Sequence, residues 1–193
     1  MSSPYTRAVV ALLLGLATGA ACMGLLESSK DTVLALGLVF AVAAVAVALL
    51  DWRPGLWRTC AMVVLIGAAW PMAYFATITV HNVLYDAKTG PFVHEDLLVM
   101  RLALQTGNLI GGTLTVAALG LAARCWPSLL TVLRTLVLGG IICWLTAMKT
   151  ASNAADVTML LLPLWQGSIL FSAVLGLDRR RVRLQAEARD AIR

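Results

Sequence analysis

Charge is scarce in this chain: Asp, Glu, Lys and Arg make up 13% of its 193 residues, against 60% hydrophobic residues and a mean hydropathy of +0.86. A water-soluble domain could not hide that much apolar surface, so this class is excluded. Histidine occurs twice, as His81 and His94. Both lie outside the apolar segments, and haem ligation across a bilayer needs His within them, so a cytochrome is disfavoured. The four cysteines, Cys22, Cys60, Cys125 and Cys143, stand singly, with no Cys-x-x-Cys pair and no Cys/His ligand spacing. They read as small apolar fillers, and no cofactor is expected. Also missing are Gly-x-Ser-x-Gly, His-Glu-x-x-His, a phosphate loop and any intramembrane Ser/His or paired-Asp arrangement, so no catalytic constellation emerges. No basic patch is interleaved with aromatics, which argues against nucleic acid as a partner.

What the chain has in abundance is uninterrupted apolar sequence. Six blocks stand out: Ala8 to Leu26, Thr32 to Leu50, Thr59 to Val80, Leu97 to Leu121, Ser128 to Met148 and Ala154 to Leu177. Each approaches or exceeds the roughly 20 helical residues that cross a hydrocarbon core of about 30 Å. The blocks do not alternate, and only helices or closed barrels satisfy their backbone groups in lipid, so helices are predicted. The fold class is therefore all-α: a polytopic helical membrane protein with about six transmembrane helices. Residues 1–177 form one membrane domain and 178–193 a basic cytoplasmic tail, which is expected to continue the sixth helix.

Orientation follows from the placement of Lys and Arg. With the N-terminus inside, the cytoplasmic side takes Arg7, Arg53, Arg58, Arg124 and Arg134, together with Arg179, Arg180, Arg181, Arg183, Arg189 and Arg193 of the tail. The other side takes only Lys30, Lys88, Lys149 and, one turn into the fourth helix, Arg101. Eleven against four places both termini in the cytoplasm. The tail then meets anionic lipid headgroups. Preference for Arg over Lys and short loops suggest a bacterial inner membrane.

Polar groups inside apolar helices are unfavourable, and for that reason informative. Arg101, Gln105, Asn108, Gly112 and Thr115 are spaced by four, three, four and three residues, so they share one face of the fourth helix. At about 1.5 Å per residue, Asn108 lies roughly 16 Å below Leu97, near the bilayer midplane. On the third helix Tyr74, Thr77, His81 and Tyr85 form a second stripe. Gln166, after Pro163 in the sixth helix, reaches a depth similar to Asn108, so the two amides are candidates to line one cavity between helices three, four and six.

The loop from His81 to Asp96 groups His81, His94, Glu95 and Asp96 as outer-face acid/base candidates. Carboxylates at a helix start favour its positive dipole end, which is preferred here over metal ligation. Gly15-x-x-x-Gly19 and Gly107-x-x-x-Gly111 mark faces of close helix approach, one of which could dock a partner subunit or a second copy. Pro71 and Pro163 each remove one helical hydrogen bond and occupy matching positions if the chain is two halves of three helices.

Three functions fit these features. The first is a small transporter, channel or membrane subunit of a transport system, in which Arg101 attracts a small polar or anionic solute and Tyr74, Gln105, Asn108 and Gln166 hydrogen-bond it. The second is an enzyme acting on a lipid or quinone at the outer leaflet. The third is a non-catalytic assembly, immunity or scaffold protein. All share one topology, which cysteine labelling tests: a cysteine at Thr89 is expected to react with an impermeant thiol reagent from outside the cell, and one at Gly55 is not. The reverse pattern would invert the orientation.

Overall fold

The computed structural model of the chain describes residues 3–28, 33–88, 97–150 and 155–191. These form six helices and, among the described residues, no strand: α1 Pro4–Ser28, α2 Val33–Asp51, α3 Leu56–Lys88, α4 Leu97–Ala123, α5 Leu129–Thr150 and α6 Ala155–Asp190. The protein is thus an all-α membrane protein. Four helices, α1, α3, α4 and α5, contain described stretches long and apolar enough to cross a bilayer; in α2 the apolar stretch Ala35–Leu50 is shorter. Large apolar side chains such as Val42, Val64, Phe75 and Val137 stand exposed around the bundle. In water such a surface would aggregate; against lipid chains it is the expected coat.

Contacts between helices fix the topology. Arg7 meets Asp178 while Gly15 meets Gly167 and Gly19 meets Pro163, so α1 and α6 run antiparallel. The same test makes α3 and α4 antiparallel through Thr77/Gly107 and Ala73/Gly111. Helices α4 and α5 oppose each other through Gln105/Gly140 and Asn108/Leu136, and α5 and α6 through Thr135/Ser172 and Thr131/Gly176. Chain start and the end of the apolar part of α6 therefore lie at one end of the bundle.

Two tight connections at this end share one device. After α2, Arg53 adopts the left-handed conformation (φ 43°) and its N–H bonds the Ala48 carbonyl at 3.1 Å. After α4, Arg124 does the same (φ 54°), and the Cys125 N–H reaches the Gly120 carbonyl at 3.0 Å. Such turns satisfy orphan carbonyls at helix ends, and the proline that follows each, Pro54 or Pro127, stops the helix from resuming early. Ser128 then caps α5 by accepting from the Thr131 N–H at 3.2 Å.

The sequence leaves the Gly15-x-x-x-Gly19 face open to a partner. Here α6 of the same chain fills it: a Cβ added at Gly15 would stand 2.6 Å from the Gly167 Cα, and one at Gly19 would strike Pro163. Helices α3 and α6 continue through Pro71 and Pro163. The carbonyl that Pro71 frees, on Gly67, is met by Gly37 of α2, where an added Cβ would come within 2.5 Å of the oxygen.

The tail continues α6 as a helix to Asp190, in line with the sequence reading. Its first residue does not belong to the tail, however. Asp178 is 2% exposed; its carboxylate lies 2.7 Å from the Arg7 Nε and accepts from the Trp52 indole N–H at 3.0 Å. One buried carboxylate thereby ties α1, the end of α2 and α6 together, beneath a core that includes Phe40, Val47, Met62, Leu119, Leu170 and Leu177. Removing one partner of a buried ion pair leaves an uncompensated charge, at a cost of about 3–5 kcal/mol. Asp178→Ala and Arg7→Ala are each expected to lower stability by about that amount in denaturant titrations in detergent micelles, and Arg7→Met with Asp178→Leu to recover much of the loss. Strict additivity of the two single losses would show that the pair is not coupled.

Candidate functional site

The α4 polar face points at α5. The Gln105 amide nitrogen donates to the Gly140 carbonyl at 2.8 Å, and the Asn108 amide nitrogen donates to the Leu136 carbonyl at 3.0 Å. The Asn108 carbonyl in turn accepts from the Trp165 indole N–H of α6 at 3.0 Å. These bonds need α5 to come close, and two residues without side chains permit it. A Cβ at Gly139 would collide with the Asn108 Oδ1, and one at Gly140 would stand 2.9 Å from the Gln105 Oε1.

Beside these amides a groove of about 530 Å³ opens between α4 and α5. Leu109, Leu133, Leu136, Val137 and Ile141 make its walls apolar, and Gln105 and Asn108 provide its polar floor. Trp144 lines it one turn beyond Gly140, and over this ring, 4.6 Å from its centroid, lies the Arg101 guanidinium. Cation–π contact replaces part of the solvation that a guanidinium loses in a membrane. The Arg101 Nε is buried without a hydrogen-bond partner among the described residues. Of the Gln105 amide, only the nitrogen is hydrogen-bonded within the described residues.

Helices three, four and six, the expected grouping, meet through a tryptophan. At the depth of Asn108, Trp165 occupies their junction, packed edge-on to Trp70 at 6.0 Å between centroids and 3.3 Å from a Cβ position on Gly111. Gln166, fully buried, points the other way. Its Oε1 accepts from the Thr18 hydroxyl at 3.3 Å and its amide nitrogen contacts the Cys22 Sγ at 3.7 Å, so it belongs to the α1–α6 seam and is not among the residues lining the groove beside Asn108. Tyr74 is exposed on α3 and packs edge-on to Phe75, away from the groove walls. Thr77 faces α4, with its hydroxyl donating to the Ala73 carbonyl. His81 is half-buried on α3, whereas His94, Glu95 and Asp96 lie outside the described residues. Among the described residues, no three His, Cys, Asp or Glu side chains converge as a metal site would require.

Of the stripe on α4, Gln105 and Asn108 line the groove and Arg101 stacks on its Trp144, while the opposing wall comes from α5. The Leu-Gly-Gly-Ile run at residues 138–141 was the available signal for that wall: paired glycines inside an apolar helix mark close backbone approach. The described lining of this groove carries amides and apolar side chains. Its lining residues include no His, Cys, Asp, Glu, Lys, Ser or Thr among the described residues, and the Arg101 guanidinium lies over the lining Trp144. In comparisons with protein families, curated proteins and solved structures, nothing matches this chain.

Proposed function

We propose that the protein is a small membrane transporter, or the membrane subunit of a transport system, that takes an amphipathic solute with an anionic head into the α4–α5 groove. One observation carries this reading: a groove with apolar walls contains two amides, and over its lining Trp144 stands a cation without an ion-pair partner among the described residues. Polar side chains in lipid need a reason to be there, and Arg101 is not accounted for by a structural ion pair among those residues. An anionic head would meet the guanidinium and the free acceptor and donor positions of the amides would take its polar groups, while the chain lies along Leu133, Val137 and Ile141. The charge asymmetry puts Arg101 at the outer leaflet, so entry is from that side. The groove favours this reading over the enzyme reading in that His81, the described acid/base candidate, is not among its lining residues.

Binding is measurable with a fluorescent medium-chain fatty acid as the probe and the purified protein in lipid nanodiscs. Charge-assisted hydrogen bonds contribute about 1.5–3 kcal/mol, so Arg101→Ala is expected to weaken binding at least about tenfold. Asn108→Leu and the groove-filling Ile141→Trp should also weaken it, with insertion and melting temperature close to wild type for Arg101→Ala and Ile141→Trp. Unchanged binding in all three variants would refute the proposal; loss of folding in Arg101→Ala would assign the residue to structure.

A further inference from the structure

A second concave site lies at the opposite, arginine-rich end of the bundle, between the start of α5 and the helical extension of α6. Its volume is about 520 Å³. Gly176, Arg179, Arg180, Arg183, Leu184 and Glu187 recur at three- and one-residue steps, so a single face of α6 supplies one wall. The other wall is the first turns of α5, with Ser128, Leu130, Thr131 and Arg134. The bottom is closed because Gly176 has no side chain and Thr131 packs directly onto it.

Four arginines and one glutamate make this site strongly positive. Two of the arginines are already held: Arg183 pairs with Glu187 at 2.7 Å, and Arg179 hydrogen-bonds the Tyr5 hydroxyl with its guanidinium 5.0 Å from the ring centroid. Arg134 and Arg180, on opposite walls, form no ion pair among the described residues. Between them lies the first turn of α5, a helix of 22 residues, whose positive dipole end adds to the positive potential of the site. A merely solvated anchor needs neither a concavity nor cations converging from two helices. The site is also bordered by apolar side chains, Leu130 at 55% and Leu184 at 46% exposure, which suit the glycerol and first methylenes of a lipid and have no use for a free ion.

We infer that this pocket is a specific binding site for the phosphate headgroup of an anionic phospholipid of the arginine-side leaflet, clamped between Arg134 and Arg180. Guanidinium groups meet phosphate oxygens in forked pairs, and basic pockets between membrane helices hold such headgroups. The inference stands apart from the α4–α5 groove: neither site shares a residue with the other.

Native mass spectrometry of the full-length protein, released from micelles doped with phosphatidylglycerol or with phosphatidylcholine, tests it. One retained phosphatidylglycerol per chain is expected, with phosphatidylcholine lost. Each basic residue near a membrane surface contributes about one kcal/mol, so Arg134→Gln with Arg180→Gln should weaken retention roughly thirtyfold. Arg181→Gln with Arg189→Gln removes the same charge outside the pocket and should leave retention near wild type. Equal loss in both double variants would reduce the site to diffuse attraction, and equal retention of phosphatidylcholine would remove the phosphate selectivity; either overturns the inference. Displacement of the lipid by glycerol phosphate at comparable concentration would show a soluble phosphate site and equally overturn it. Should Arg134→Gln with Arg180→Gln not fold, the wild-type protein still decides: retention must fall steeply between low and high salt.

Discussion

A polar side chain held in hydrocarbon must find its hydrogen bonds inside the protein, and this constraint organises the bundle around the midpoint of α4. Gln105 and Asn108 cannot satisfy their amides on their own helix, so they reach the backbone of α5, and Gly139 and Gly140 let that backbone come near enough. Trp165 completes the arrangement from α6 and closes the junction with α3. A groove between α4 and α5 follows from the same contact. Gly140 lies in its lining, and Leu133, Val137 and Ile141 wall it with full side chains.

Close approach through small residues recurs wherever helices meet tightly. Gly15 and Gly19 admit α6, Gly107 admits Thr77 of α3, and Gly37 sits against the carbonyl that Pro71 leaves without its helical donor. In lipid there is little hydrophobic drive between helices, so such contacts rest on van der Waals packing and interhelical hydrogen bonds. At the arginine-rich end a different device operates, an ion pair. There Asp178 draws in Arg7 and Trp52, and the two left-handed turns at Arg53 and Arg124 return the chain within a few residues.

The six helices were legible in the sequence because apolar length is a local property. So was the shared face of Arg101, Gln105 and Asn108, which depends only on helical periodicity. What spacing cannot supply is the direction in which a helix turns its face. Gln166 and Asn108 were matched by depth, yet adjacent residues on a helix point about 100° apart, and it is Trp165 that faces Asn108. Asp178 stands in the sequence beside the arginines that follow it, while its partners lie far away in the chain, Trp52 by 126 positions. The Gly139-Gly140 pair carried a usable signal, but the choice between α3, α5 and α6 as the neighbour that needs it is tertiary.

The central claim is that the mid-membrane amides and Arg101 serve a groove that an amphipathic molecule enters from the lipid. Electron cryo-microscopy of the protein in lipid nanodiscs tests it most directly. Elongated density along Leu133, Val137 and Ile141, ending beside Trp144 and the Arg101 guanidinium, is the expected result. A map in which α5 closes onto α4 and a carboxylate seals Arg101 in a dry ion pair would contradict it.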